Sequence, residues 1–426
     1  MLILFGSVCY HVLVCNLHDV IMKIDKKIND LLNSTLQEFI QILSIKAVNP
    51  SMGGNGEYER ALVIQKILEK YNFDEIKRYD AKDERVPEGI RPNIVALIKG
   101  NDTSRTLWLL AHMDTVPEGD RSLWDTDPFK PIIKDGKIFC RGAEDNGQAI
   151  ASILLATKTL LELNIKPSVN LGLVFVSDEE AGSVYGVQHL IEHSIFDKKS
   201  IVIVPDAGSP DGSMIEVAEK GILWFKIITR GKQAHGSMPH KGLNAHRIGM
   251  KYALELDELF HNKYTMKNQL FDPPESTFEP TKKEKNVDNI NTIPGTDIIY
   301  FDCRVLPEYS IDDVLSTMNK LKVEYEQKYG VKIDIEIIQR NDPAPPTPSD
   351  SEVVKRLNLA IEMLRGFKPK LMGIGGGTVA AFFRKQGIPA AVWSTLDEVA
   401  HQPNEYSKID NIIADAKVFT LASIIQ

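Results

Sequence analysis

Five short polar segments carry residue types that bind metal ions or move protons. They are His112-Met-Asp114, Arg141-Gly-Ala-Glu-Asp145, Ser177-Asp-Glu-Glu180, Pro205-Asp206 and His401. Imidazole nitrogen and carboxylate oxygen are donors that zinc accepts, with three or four protein ligands and a water. Two histidines and several carboxylates suit a pair of ions about 3.5–4 Å apart that share a bridging carboxylate and a bridging water. Asp114 follows His112 by two residues, so in extended backbone both side chains point the same way. That spacing lets Asp114 accept the second ring N–H of His112 and orient it, as ligand histidines usually require. Glu179 and Glu180 are adjacent, and in extended backbone their carboxylates diverge. One can bind metal while the other takes a proton from the attacking water. Taken singly, each group is more simply a satisfied surface carboxylate or a polar core histidine. Asp178, Glu118 and Asp120 are read that way.

These segments need a scaffold that brings them to one edge. Leu107–Ala111, Val169–Val176, Ile201–Val204 and Ala390–Trp393 read as strands, and a polar segment follows each of them. The runs at 107, 171 and 201 are nearly continuous in apolar residues, the mark of strands buried on both faces. Ala149–Ala156 reads as a covering helix directly after Asp145. The expected fold class is α/β, a mainly parallel sheet with helices on both faces and function past the carboxyl ends of its strands. At Glu219-Lys220-Gly221 the pattern changes to strand, helix, strand, helix, strand, which describes a small α+β domain inserted over 217–340. Asp342-Pro-Ala-Pro-Pro-Thr-Pro348 reads as a stiff return linker. The catalytic domain is then 22–216 together with 341–426.

The chain has 426 residues, of which 43% are hydrophobic and 25% charged, as in a soluble globular protein of two or three domains. Its net charge of −8 lacks the basic footprint that nucleic acid needs. Cys9, Cys15, Cys140 and Cys303 form no Cys-x-x-Cys pair, which fits a reducing, cytoplasmic setting. Residues 1–21 contain no Lys or Arg, and His11, Asn16, His18 and Asp19 interrupt their apolar stretches. They lack the length of a membrane span and the basic start of a secretory signal. The expectation is a dispensable extension, ahead of an extra surface element or a weak membrane anchor.

The segments also carry a resemblance. Leu110-Ala-His-Met-Asp-Thr-Val-Pro-Glu-Gly119 is similar to the first signature of the zinc metallopeptidase and deacylase family of acetylornithine deacetylase, succinyl-diaminopimelate desuccinylase, aminoacylase and glutamate carboxypeptidase. Trp124–Phe129, Asp135-Gly-Lys, Arg141–Asp145 and Asp178-Glu-Glu-Ala-Gly182 resemble its second signature. The resemblance implies that His112 and Asp206 hold one ion, Glu180 and His401 the other, and that Asp145 bridges them. It makes Glu179 the general base and Asp114 the support of His112, and implies a cis Asp145–Asn146 peptide. The insert becomes a lid and dimerisation domain. Within it, His235 in Gly231–His240 resembles the histidine that approaches the tetrahedral intermediate. Asn291 and Arg304 match positions that hold the substrate carboxylate, beside a Gly-rich turn containing Gly376 and Thr378.

What the resemblance implies is an amide or peptide hydrolase with two divalent ions, zinc first and cobalt or manganese as alternatives. Its substrate is a small carboxylate-bearing molecule or dipeptide, as for an N-acyl amino acid deacylase, dipeptidase or carboxypeptidase. A homodimer would form through the insert, with no nucleic acid or membrane partner. The deacylases commonly continue the Gly-rich turn with Thr-Ser-Asp, whereas this chain has Thr378-Val-Ala-Ala. Succinyl-diaminopimelate desuccinylase or acetylornithine deacetylase is therefore the alternative, with a metallophosphoesterase or a non-catalytic metal-binding protein as rivals. Cys140 and Gly147-Gln148 also depart from the usual residues around the bridging aspartate.

Overall fold

The computed structural model describes residues 2–425, with side chains from His18 onward. The extension expected at 1–21 therefore lies mostly outside the described side chains. The chain forms two compact units. The first comprises the residues up to Val217, Thr347–Leu371 and those from Thr378 on; the second comprises Ala218–Pro346 with Met372–Gly377.

The first unit is built on a sheet whose four central strands run parallel: Val169–Val176, Asp102–His112, Ile201–Val204 and Ala390–Val392. Every residue of Val169–Val176 and Ile201–Val204 is buried, as continuous apolar strands require when helices cover both faces. The outer strands Glu75–Lys82 and Ile90–Ile98 run antiparallel to their neighbours. Glu75–Lys82 was not visible as a strand in the sequence. It is an edge strand, Glu-Ile-Lys-Arg-Tyr-Asp-Ala-Lys, and a mostly exposed strand has no apolar signal to show. Helices Gln148–Glu162 and Ile409–Ile424 pack on the sheet, and the long helix Leu2–Leu43 packs against those two helices. Among the described residues no helix is long and apolar enough to cross a membrane.

The second unit is a four-stranded antiparallel sheet, ordered Thr277–Lys283, Thr296–Val305, Gly221–Arg230 and Lys332–Asn341. Burial alternates residue by residue along Thr296–Val305, so one sheet face is packed and the other open. Helices Ala245–Lys263 and Ile311–Tyr329 supply the cover, with Tyr252, Phe260, Val314 and Met318 in the core. The strand Thr277–Lys283 gives no strand signal in the sequence. It is polar, contains Pro280 and has a bulge between Pro280 and Lys282, features tolerated only at a sheet edge.

Candidate metal centre

The parallel strands deliver the candidate residues of the first unit to one place. Strand Asp102–His112 ends on His112, which is only 2% exposed. Glu179 and Glu180 follow strand Val169–Val176, and Asp206 follows Ile201–Val204. Asp145 lies in an irregular turn just before helix Gln148–Glu162, and its peptide bond to Asn146 is cis. Gly147 is required next: a Cβ there would lie 2.4 Å from the carbonyl oxygen of Gly142 and 2.8 Å from the Phe39 ring.

Asp145 occupies the middle of the group. Its Oδ1 lies 2.8 Å from His112 Nε2, and its Oδ2 lies 3.1 Å from His401 Nε2. His401 Nε2 is also 3.2 Å from the Glu180 carboxylate. His112 Nε2 is 3.5 Å from Asp206 and 4.0 Å from Glu179. Ligand atoms of His112, Asp145 and Glu180 fall within 4.8 Å of one another, as do those of His112, Glu179 and Asp206. Proximity alone thus groups Glu179 with possible ligands. Asn146 fixes Asp206 from behind, donating Nδ2 to its carboxylate at 2.7 Å and to the Pro205 carbonyl at 2.8 Å.

Asp114 makes more contacts than its spacing suggested. His112 Nδ1 is 3.0 Å from the Asp114 backbone carbonyl and 3.4 Å from its carboxylate, so the carbonyl is the nearer acceptor. The carboxylate accepts the backbone N–H of Glu179 and Glu180 and, at 2.7 Å, Asn49 Nδ2. Asn49 also reaches Asp178 at 3.2 Å. Asp178 is buried and pairs with the fully buried Arg91, which is bound in turn by Glu57 and Asp83. The surface reading of Asp178 is therefore corrected: it belongs to a buried network behind the site. Asn49, Glu57 and Arg91 carried no motif that could have singled them out.

The electrostatics match a site built for cations. Burial raises the Glu179 carboxyl well above its usual range, with further push from Asp206. Burial and then Asp145 bring Glu180 up to about 7. His401 is raised to about 10 by its hydrogen bonds to Asp145 and Glu180. For His112, burial works against the charged ring, but Asp206 and the neighbouring carboxylates raise it all the same. For Asp145, burial opposes ionisation, and the bonds from both histidines hold its carboxyl below the usual value. Carboxylates crowded until they resist ionisation, around imidazoles that must carry protons, are relieved by divalent cations. Nitrogen and carboxylate oxygen donors, with no thiolate among them, fit zinc, cobalt or manganese.

The other candidate residues belong to the second unit, except Thr378. In the second unit, His235 is exposed on a two-residue strand facing Thr292, with Nδ1 2.8 Å from Ser237 Oγ. The Asn291 carbonyl accepts the Gly236 N–H at 2.7 Å, so Asn291 and His235 are neighbours. Arg304 shares its guanidinium with Asp302, at 2.7 and 3.0 Å, and with the Gly375 carbonyl at 2.8 Å. A substrate carboxylate at Arg304 would compete with Asp302. Gly376 belongs to the same unit and has open space where a Cβ would stand. Thr378 is buried in the first unit, its hydroxyl accepting the Ala380 N–H at 3.1 Å.

The sequence profile of Peptidase family M20/M25/M40 matches residues 108–423, a span holding all five polar segments. The chain belongs to this family. A metallohydrolase of Methanocaldococcus jannaschii is 45% identical over 409 residues, covering 92% of this chain and 98% of the relative. A succinyl-diaminopimelate desuccinylase of Rickettsia prowazekii is 28% identical over 379 residues, covering 87% and 94%. Human carnosine dipeptidase 1 shares the fold, with a TM-score of 0.73 at 18% identity over 95% of this chain and 98% of that one. As a member of Peptidase family M20/M25/M40, the protein is a metal-dependent hydrolase.

Proposed function

We propose that this protein hydrolyses an amide or peptide bond in a small, carboxylate-bearing substrate, in the manner of a dipeptidase, carboxypeptidase or N-acyl amino acid deacylase. The observation that carries the reading is Asp145, whose two oxygens each face a different histidine. A carboxylate so placed suits a bridge between two ions. His112 and Asp206 would hold one ion, Glu180 and His401 the other. Zinc is the first choice, with cobalt or manganese as alternatives. Bound divalent ions supply Lewis acidity, polarising the scissile carbonyl and easing loss of a proton from the attacking water.

The remaining chemistry falls to side chains. Glu179 takes the proton of the attacking water and returns it to the leaving amine nitrogen. A carboxyl whose affinity for protons is raised by burial suits both transfers. Asp114 holds the backbone of Glu179, so the base keeps its aim. His235 is assigned to the negative charge developing on the carbonyl oxygen, and Asn291, Arg304, Gly376 and Thr378 to the substrate carboxylate. The insert over 217–340 is assigned the homodimer surface, and the cytoplasm is the proposed location. The reading is tested by a screen of dipeptides and N-acyl amino acids with Zn2+, Co2+ or Mn2+, following released amine. Phosphoester hydrolysis without amide hydrolysis would replace it with the metallophosphoesterase reading.

A further inference from the structure

Two buried carboxylates flank the candidate ligands, and their hydrogen bonds cross. Glu144 immediately precedes Asp145, yet its side chain binds the loop that leads to His401. Its two oxygens accept the N–H groups of Asp397 and Val399, each at 2.6 Å. Glu405 follows His401 by four residues, yet its side chain binds the loop of Asp145. One of its oxygens accepts the N–H of Glu144 at 3.0 Å and of Asp145 at 3.1 Å; the other pairs with Arg141 at 2.5 Å. Arg141 also donates to the carbonyl of His401 at 3.2 Å. Each loop thus carries a carboxylate bound to the backbone of the other.

The arrangement matters because of where His401 sits. Its side chain is 53% exposed and its backbone is left-handed, with φ 62°. Burial does not fix the ring, which is held by its contacts to Asp145 and Glu180 and by the backbone that carries it. We propose that Glu144 and Glu405 form a reciprocal clasp that sets His401 against Asp145 before any ion arrives, making both of them positioning residues for the ion shared by Asp145, Glu180 and His401. This rests on the dinuclear reading above. Hydrogen bonds from backbone N–H to an ionised carboxylate are about twice as strong as neutral ones. Groups that orient metal ligands typically contribute about 10–100-fold in metal affinity.

Glu144 is the residue to change, because removing Glu405 would leave the buried Arg141 charge unpaired. Glu144→Gln keeps the size but turns an amide N–H toward one of the two backbone donors. The probe is Co2+ alone, added to metal-free protein and followed by visible absorption and calorimetry. Wild type is expected to bind two ions. Glu144→Gln should bind one of them at least about tenfold more weakly and change the intensity of the cobalt bands. A role in folding alone would lower the melting temperature and leave the cobalt spectrum as it was. Two ions bound with wild-type affinity and spectrum would overturn the proposal. Should Glu144→Gln not fold, hydrogen exchange of metal-free wild type decides. Protected amides at Asp397 and Val399 support the clasp; exchange at the rate of free chain defeats it. A wild-type protein that binds no Co2+ would sink the dinuclear reading, and the clasp with it, without any variant being made.

Discussion

The carboxylate of Asp114 accepts the backbone N–H of Glu179 at 3.0 Å through one oxygen and that of Glu180 at 3.1 Å through the other. One side chain therefore sets both neighbours, and it does so from beside His112. Fully buried, Asp114 is kept ionised against that burial by His112, Asn49 and Arg91. Asp114→Asn cannot accept from Asn49 and both backbone N–H groups, since one oxygen becomes an N–H group. Metal affinity should fall about 10–100-fold, read by competition with a chromophoric chelator. Unchanged affinity would mean that Asp114 does not position the ligands.

Asp145 touches both histidines, so its loss should be felt at both ions. Asp145→Ala is expected to lower bound metal from two ions per chain toward one or none, with activity falling in step. Mass spectrometry of the metal content measures this. Full occupancy in the variant would remove the bridging assignment.

Cys140 and Cys303 should be inert in the folded protein. Both are buried, and burial pushes the Cys140 thiol up to about 12 and raises Cys303 as well. Thiolate is the reactive form, so a maleimide should modify neither until the chain unfolds. Peptide mapping after brief labelling checks this, and native labelling of Cys140 would contradict it.

Asp83 gives a pH signature away from the metal group. Its hydrogen bonds from Arg85, aided by Arg91, hold its carboxyl at about 2, below the ordinary 3.8. A depressed folded value contributes stability above pH 3.8 that is lost as the pH falls through 2. Asp83→Asn should therefore be less stable than wild type at neutral pH, by about 1.5–3 kcal/mol for bonds to charged groups. The gap should close between pH 4 and pH 2. Thermal melts of both proteins across that range measure it; a gap that stays constant down to pH 2 would discount the Asp83 ion pairs.

Much of this architecture is written in local pattern. The buried strands around 107, 171 and 201 are legible because burial on both faces leaves an unbroken apolar run, and the chemistry falls at their ends. Edge strands such as Glu75–Lys82 and Thr277–Lys283 escape the same reading, because half-exposed polar strands look like loops. Ligand candidates stand out by residue type. The groups that hold them do not: Asn49 lies 65 residues from Asp114, and Glu405 lies 260 from Asp145. Bonds to backbone N–H, like those of Glu144, leave no partner side chain for a sequence to show.

Glu179 and Glu180 are the same residue type on neighbouring positions, with different work proposed for each. In the proposed mechanism Glu179→Gln removes a base and keeps its shape, while Glu180→Gln removes a ligand. The decisive measurement is turnover and metal content of Glu179→Gln on an amide substrate that the wild type hydrolyses. The expected result is two bound ions, little change in KM and a loss of at least about a hundredfold in kcat. Hydrolysis at the wild-type rate with both ions in place would contradict the mechanism.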